Sequence, residues 1–407
     1  MVNRMKIRSI TYFCNPKYPL NENILRKAGE FLSNAKSAFE SAGYEVQTVR
    51  LATIPFPKLL GEENINSLPK FANEFSKAIR AVGISYASLG PALPELPKSY
   101  QAIPDAISAS ENIFFSGMMA DDTNIHLAQI KACAEVIVRN AALDANGFAN
   151  LRFAALANVK AGAPFFPAAY WNENKPAFAI AIESADVAVK AFETKSSLSE
   201  SRSALISEIE KHGETLERVS NSLTSSSLKF LGIDFSFAPF PNDAHSLGKA
   251  VENMGVKKIG LHGSLASAAI LTEAIERANF LRAGFNGFMQ PVLEDSVLAK
   301  RAAEGTLTIK DALLYSAVCG TGLDTIPLPG DSTADEIAPL LLDLCALARR
   351  LNKPLTARLM PIPNKVAGDE TNFDFAFFAN SKVMKLESEP LQNALGGDES
   401  FLLQTKR

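Results

Sequence analysis

Apolar runs with the spacing of β-strands alternate with helical patterns about ten times along this chain. The strand-like runs are 6–13, 44–51, 83–88, 112–116, 151–157, 177–183, 228–237, 257–261, 325–328 and 355–360. The alternation continues without a change of composition and without a linker longer than a loop. It therefore predicts a parallel α/β fold, either a barrel or a doubly wound sheet. We expect one domain over 1–390 and a C-terminal tail at 391–407.

Composition narrows the classes of function. The formal net charge of −3 gives no electrostatic basis for binding nucleic acid or an anionic membrane surface. No apolar run reaches the roughly eighteen residues that a membrane span needs. The four cysteines, Cys14, Cys133, Cys319 and Cys345, show neither disulfide nor zinc-site spacing. The sequence therefore predicts a cytoplasmic protein with a small-molecule ligand, and it leaves a homo-oligomer open.

The segment from 231 to 267, whose first strand begins just upstream, is expected to form one wall of a ligand site. Two strand-like runs, 228–237 and 257–261, flank a short amphipathic helix at 245–253, which predicts a βαβ unit. Each run ends in a turn that carries polar groups. In parallel α/β sheets and barrels, ligands bind at the carboxyl ends of the strands.

The second of these turns is His262-Gly263-Ser264. Gly263 would let the backbone approach a ligand closely, and Ser264 would begin a helix whose free N–H groups attract an anion. His262 could then act as a general acid or base. The alternative is an ordinary helix cap beside a packed histidine.

Asp234, at the first turn, interrupts an otherwise apolar strand, and Ser236 follows it. A carboxylate in such a strand is costly unless it is paired or bound. Asp234 could be a general base, orient His262 or bind a cation. The alternative is pairing with a buried arginine or with backbone amides. Three histidines and Asp234 could compose a metal site, but no metal-binding motif is present, so metal and cofactor are left open.

Further polar residues lie at predicted strand ends, where they would line the same pocket. Arg358 is placed to clamp a carboxylate or phosphate, or to pair with an acidic residue such as Asp234. The remaining candidates for substrate binding are Glu183, Asn158, Ser88 and Asp324.

Five blocks of the sequence resemble, in order, those of uncharacterised protein family 0210, or domain of unknown function 711. They are IRSIT, GIDFSFAPFP, IGLHGS, CGTGLDTIPLP and ARLMPIPNKVAGDE. The resemblance spans nearly the whole chain. It implies an α/β barrel of about ten strands, similar to glycyl radical enzymes such as pyruvate formate-lyase. A barrel of that kind would account for a chain longer than the roughly 250 residues of an eight-stranded one.

Two departures limit what the resemblance implies about chemistry. The segment Asn393–Asp398 lacks the Arg-Val-x-Gly-aromatic motif, so radical catalysis does not carry over. Glu183-Ser184-Ala185-Asp186 stands where the family has a glycine-rich turn, which argues against a phosphate-type anion there. A cationic or metal-bridged ligand at that turn is left open.

The residues therefore predict an enzyme acting on a small polar metabolite in a pocket at the strand carboxyl ends. Lyase, isomerase and hydrolase chemistry all remain open. The alternative is a non-catalytic protein that binds an amino-acid-like ligand as a sensor. A barrel whose polar strand ends only hold the structure together is a third option.

Overall fold

The computed structural model describes residues 5–193 and 197–406. These residues form a mixed α/β fold around a twelve-stranded sheet. The strands are β1 (Lys6–Cys14), β2 (Glu45–Val46), β3 (Val49–Thr53), β4 (Tyr86–Ala92), β5 (Ile113–Ala120), β6 (Asn124–His126), β7 (Phe153–Ala157), β8 (Ala177–Glu183), β9 (Lys229–Asp234), β10 (Gly322–Pro329), β11 (Leu355–Ile362) and β12 (Ser400–Leu402). The helices are α1 (Glu22–Ser41), α2 (Phe56–Leu60), α3 (Leu68–Ala81), α4 (Lys98–Gln101), α5 (Ile103–Ser108), α6 (Leu127–Ala141), α7 (Ala185–Ala191), α8 (Leu198–Leu223), α9 (Leu247–Asn253), α10 (Ser264–Arg277), α11 (Ser296–Ala303), α12 (Ile309–Ser316) and α13 (Ala334–Arg350).

The sheet is mostly parallel and runs in the order β10-β11-β7-β5-β4-β3-β1-β8-β9. β2 pairs with β1, and β6 pairs with both β5 and β12. Two joins are antiparallel: β1 with β8, where Ile10 lies opposite Ile180, and β7 with β11, where Leu156 lies opposite Thr356. The strands β1, β3, β4, β5 and β7 therefore begin at the end of the sheet where β8, β9, β10 and β11 finish.

The sheet is not closed by strand pairing, so the predicted barrel is not confirmed. Its two edge strands, β9 and β10, are instead connected by an irregular segment, residues 281–291. The amide of Ile233 donates to the carbonyl of Leu281 at 2.8 Å, and that of Ala283 donates to the carbonyl of Ile233 at 3.0 Å. At its other end, an isolated bridge joins Pro291 to Asp324 of β10.

Helices cover the sheet because each presents an apolar stripe to it. In α1, Leu25, Ala28, Leu32 and Ala35 recur at helical spacing and are fully buried. The strands are apolar on both faces, as in β8, since one face meets helices and the other faces the interior. In the described part of the chain, no helix combines the length and the apolar character of a membrane span.

Several boundaries differ from those expected from the sequence. Residues 257–261 form turns and an isolated bridge between Ile259 and Leu261 rather than a strand. Gly260 causes this difference: it has φ +106°, and a Cβ there would collide with the backbone of Thr306. Toward the C-terminus, an isolated antiparallel bridge joins Glu370 to Lys382, and β12 pairs with β6 within the segment expected to be a tail.

Candidate functional site

An interior cavity of about 310 Å³ lies at the end of the sheet where the first group of strands begins. Arg8, Thr48 and Tyr86 reach it from the starts of β1, β3 and β4. Ile182 and Ser236 reach it from the ends of β8 and β9. Because the two groups run in opposite directions, strand starts and strand ends meet at the same cavity.

Aromatic side chains form much of the cavity wall. They come from strand starts, from the loop between β7 and β8, and from the segment after β11. The rings are those of Tyr86, Phe114, Phe148, Phe165, Phe166, Phe375 and Phe377. Phe114 packs on Phe166 with ring centroids 5.4 Å apart, in an edge-to-face arrangement. The cavity is therefore apolar over a large part of its surface.

Ion pairs cross the cavity floor in a continuous chain. Nε of Arg358 donates to Oδ1 of Asp324 at 2.5 Å, and its Nη2 donates to Oε1 of Glu294 at 2.7 Å. Nη2 of Arg8 donates to the other oxygen of Glu294 at 2.5 Å. Although burial alone would raise it, the pKa of Glu294 is lowered, because Arg358 and Arg8 favour the carboxylate.

This series of ion pairs ends at Asp324, beyond Arg358, and at Glu183, whose Oε2 lies 3.9 Å from Nη1 of Arg8. Burial raises the pKa of Asp324, and the charge of Arg358 only partly opposes that effect. Oδ2 of Asp324 is buried without a hydrogen bond among the described residues. Oε2 of Glu183 accepts from Nε2 of Gln47 at 2.7 Å, and Lys6 lies 3.7 Å from its other oxygen.

Asp234 also lines the cavity, at the end of β9. Its Oδ1 accepts from the hydroxyl of Ser236 at 2.5 Å and from the amides of Ser236 and Asn286, both at 3.1 Å. Its Oδ2 accepts from the amide of Phe285 at 2.9 Å. Burial raises the pKa of Asp234, and these bonds oppose that effect without cancelling it. Asp234 thus fixes residues 284–286 against the end of β9.

Arg50, on β3, is the cavity cation with the least compensation. Its Nε donates to the hydroxyl of Thr48 at 2.9 Å, and its guanidinium carbon lies 5.0 Å from the ring centroid of Phe166. Within residues 5–193 and 197–406, no carboxylate lies within ion-pair distance of it. Burial, together with repulsion by Arg8, lowers the pKa of Arg50 to about 9.

Comparison with known proteins identifies the family. The family model described as "Uncharacterised ACR (DUF711)" matches residues 1–381. The chain belongs to the DUF711 family. A UPF0210 protein of Neisseria gonorrhoeae is 25% identical over 376 residues, covering 87% of this chain and 83% of the relative. A UPF0210 protein of Acetivibrio thermocellus is 26% identical over 389 residues, covering 90% and 84%. One from Pyrobaculum aerophilum is 30% identical over 279 residues, covering 66% and 61%.

The residues that the sequence singled out fall into two sets in this DUF711 chain. Asp234, Ser236 and Arg358 line the cavity. Asp324 and Glu183 do not line it, but they pair with cavity-lining arginines, Asp324 with Arg358 and Glu183 with Arg8. The others lie elsewhere. Ser88 is inside β4, with its hydroxyl bonded to the carbonyl of Pro167, and Asn158 follows β7 at the opposite end of the sheet.

The His262 turn lies at the protein surface. His262 and Gly263 are exposed, and Ser264 begins α10. The hydroxyl of Ser264 donates to the carbonyl of Leu261 at 2.7 Å and accepts from the amide of Gly260 at 3.0 Å. Ser264 thus holds its own turn, and the cavity lining does not include any of the three residues.

Sequence reasoning missed Arg8, Arg50 and Glu294. A signal was available for the two arginines, because each interrupts an apolar strand as Asp234 does. Glu294 carried no such signal, since it lies on a short 3₁₀ turn between the irregular segment 281–291 and α11. In the residues that the structure describes, no group of three or more histidine, cysteine or acidic side chains is arranged to hold a metal ion.

Proposed function

We propose that this protein is an enzyme that acts on a small polar metabolite held in the interior cavity, with Asp234 as the proton acceptor. The observation that carries the proposal is a buried carboxylate of raised pKa in the same cavity as a chain of buried ion pairs. Titratable groups that burial and charge shift in a cleft are frequent at catalytic sites.

Asp234 is suited to accept a proton. The hydroxyl of Ser236 and the surrounding amides fix its carboxylate, so little reorganisation accompanies the transfer. Its raised pKa brings it closer to the operating pH, which makes a carboxylate a more effective base. Removal of a proton from carbon fits a lyase or an isomerase, and removal from water fits a hydrolase. We favour the first two, because apolar rings form much of the wall.

The finer description of the fold is part of this proposal. The two contacts of residues 281–291, with β9 and with β10, support a barrel completed by an irregular segment in place of a strand. We keep the likeness to the glycyl radical enzyme barrels on the same basis, without radical chemistry. The four buried, unpaired cysteines support a cytoplasmic location.

Deuterium incorporation tests the catalytic role, and it does not require the substrate to be identified first. Purified protein is incubated in D₂O with a pool of small polar metabolites, and NMR records loss of C–H signals or new products. We expect exchange or turnover with the wild-type protein, and its loss in Asp234→Asn with ligand-induced thermal stabilisation retained.

The matched control for this variant is Asp295→Asn. Asp295 is also fully buried, bonds backbone amides and the hydroxyl of Ser246, and has a pKa raised by burial, but it does not line the cavity. It should lose stability in the same way and keep exchange. Equal activity in wild type and Asp234→Asn would contradict the catalytic role.

The hydrogen bonds of Asp234 also favour a second candidate function, a non-catalytic sensor of a small ligand. Both carboxylate oxygens already accept bonds from the protein, as expected for a structural aspartate. A sensor would show thermal stabilisation by a metabolite and no exchange or product in D₂O, for wild type and variant alike.

A further inference from the structure

The guanidinium of Arg50, which has no ion-pair partner among the described residues, indicates which kind of ligand the cavity binds. The other arginines that line the cavity are engaged by the protein. Arg8 and Arg358 share Glu294, and Arg152 donates to the carbonyls of Ser110 and Ile107 at 2.5 and 2.9 Å. Arg50 uses only its Nε, toward Thr48. Its two terminal nitrogens have no hydrogen-bond partner in the part of the chain that the structure describes.

Keeping such a cation in a largely apolar cavity is costly for the fold, although Arg50 remains partly exposed there. A charge that loses part of its hydration without gaining a counter-charge is unfavourable in a protein. The rings of Phe166 and Tyr86, at 5.0 and 5.9 Å, offset part of this cost through cation–π contact. They lie against the guanidinium and leave its two terminal nitrogens without an acceptor. An arginine retained under these conditions is typical of ligand binding, because its planar fork matches a carboxylate in two parallel hydrogen bonds.

We propose that the ligand carries one carboxylate, which pairs with the terminal nitrogens of Arg50, and an apolar body, which packs among the phenylalanine rings. This inference rests on the proposed function, since it takes the interior cavity as the ligand site. Among the described arginines of the cavity lining, Arg50 is the one whose two terminal nitrogens lack a protein partner, and one guanidinium fork matches one carboxylate. A phosphate dianion would bring a second negative charge close to Asp234 and Glu294, which also line the cavity.

The size of the cavity sets the size of the ligand. About 310 Å³ corresponds to the space of about ten water molecules, at roughly 30 Å³ each. The volume is at the lower end of the range for ligand pockets, roughly 300–1,000 Å³. The ligand is therefore a small monocarboxylate with about ten non-hydrogen atoms and an aromatic or branched apolar body.

Paired probes test the inference directly. The panel consists of monocarboxylates of this size, including phenylacetate and branched aliphatic acids, each with its neutral amide, and phenylphosphonate as a dianion. Ligand-observed NMR and calorimetry measure binding near pH 8, where phenylphosphonate is mainly a dianion and Arg50, whose pKa is about 9, is still mainly protonated. We expect carboxylates to bind about 10- to 100-fold more tightly than their amides, the range for a charge-assisted hydrogen bond, and phenylphosphonate to bind more weakly than phenylacetate.

Three variants separate the contribution of the Arg50 charge to binding from that of the cavity volume. Arg50→Met should remove the preference for carboxylate over amide. Ala181→Leu should weaken both members of each pair, because Ala181 lines the cavity and a larger side chain fills it. The control is Arg139→Met, which removes an arginine that pairs with Asp105 on the surface, and it should behave as wild type.

Each contrary result has a distinct meaning. No binding by any carboxylate, or an equal preference in wild type and Arg50→Met, overturns the inference. Tighter binding of phenylphosphonate overturns the assignment of a single negative charge. The proposed function survives these failures if the D₂O experiment still shows turnover that depends on Asp234, and it fails separately if that turnover is absent.

Discussion

Glu294 connects the charged side chains of the interior, because each of its oxygens binds a different arginine. Arg8 and Arg358 lie on β1 and β11, which are far apart in the strand order. The carboxylate therefore joins strands that do not hydrogen-bond to each other. At the residue scale, this makes the ion-pair chain a structural element as well as a feature of the site.

Replacing Glu294 with glutamine should destabilise the protein strongly. The change removes the charge that Arg8 and Arg358 share, which leaves Arg358 with Asp324 and Arg8 with the more distant Glu183. Breaking a buried ion pair costs about 3–5 kcal/mol. Urea unfolding at pH 7 measures the free energy of unfolding. A loss below about 1 kcal/mol would show that water or another acid already compensates the two arginines.

The same variant should change how stability depends on pH. The folded protein lowers the pKa of Glu294 below its ordinary value of 4.5, so the carboxylate stabilises the fold above pH 4.5. This contribution is lost as the pH falls below 4.5 through the lowered pKa. Wild type and Glu294→Gln should therefore differ most near neutral pH and converge in acid. Parallel curves would contradict the assignment.

Replacing Arg50 with methionine should have the opposite effect on the free protein. Arg50 is partly buried and has no carboxylate partner among the described residues, so removing its charge relieves an unfavourable partial loss of hydration. We expect the free energy of unfolding of Arg50→Met to rise by about 1 kcal/mol, and that of Arg358→Met to fall by about 3–5 kcal/mol, since Arg358 belongs to a buried ion pair. Urea unfolding of both variants without ligand tests this contrast. A large loss of stability in Arg50→Met would assign Arg50 a structural role.

At the scale of elements, residues 281–291 matter most, because they connect the two edge strands without regular structure and contribute Met289 to the cavity lining. Asp234 fixes this segment through the amides of Phe285 and Asn286. Gly284 permits the close approach: it has φ +79°, and a Cβ there would collide with the Asp234 carboxylate and contact Pro164. The geometry of the site thus depends on a glycine beside a buried acid.

Gly284→Ala should therefore reduce both stability and ligand binding. Gly305→Ala is the matched control, since Gly305 has a similar φ of +73° but no neighbour within 4 Å of the new Cβ. Backbone strain at either position costs about 1–3 kcal/mol, and only Gly284→Ala adds a collision. Thermal unfolding and phenylacetate titration of both variants measure the difference. Equal losses would show that backbone strain alone is responsible.

At the scale of the whole molecule, the C-terminal residues are joined to the sheet. β12 pairs with β6, the amide of Leu127 donates to the carbonyl of Glu399 at 3.0 Å, and Lys131 contacts Asp398 at 2.6 Å. These contacts lie at the start of α6, and the cavity lining does not include them.

Deleting residues 392–407 should therefore loosen one corner of the fold and leave ligand binding intact. We expect at least about tenfold faster hydrogen exchange at Ile125 and Leu127, because their region loses its β-pairing and an amide acceptor. Hydrogen exchange read by mass spectrometry checks this, with calorimetry of the same protein as the control. Unchanged exchange would show that the tail contributes little to local stability.

The sequence predicted the alternating elements and the place of Asp234 and Ser236 at the end of a strand. It did not predict the antiparallel joins of β1 with β8 and of β7 with β11, because hydrophobic periodicity carries no information on strand direction. For this reason, the sequence pattern groups Asn158 with Glu183, although the structure places them at opposite ends of the sheet. Glu294 could not be found as Asp234 was, because it ends a short 3₁₀ turn, which has no strand periodicity for a carboxylate to interrupt.

The burial of all four cysteines has a practical consequence for following motion at the cavity mouth. A maleimide dye needs an accessible thiolate, and burial raises the pKa of Cys14, Cys133 and Cys345. Phe377 lines the cavity and is 40% exposed, so Phe377→Cys would give the folded chain a single labelling position. Fluorescence from that position would report ligand entry without removal of any native thiol.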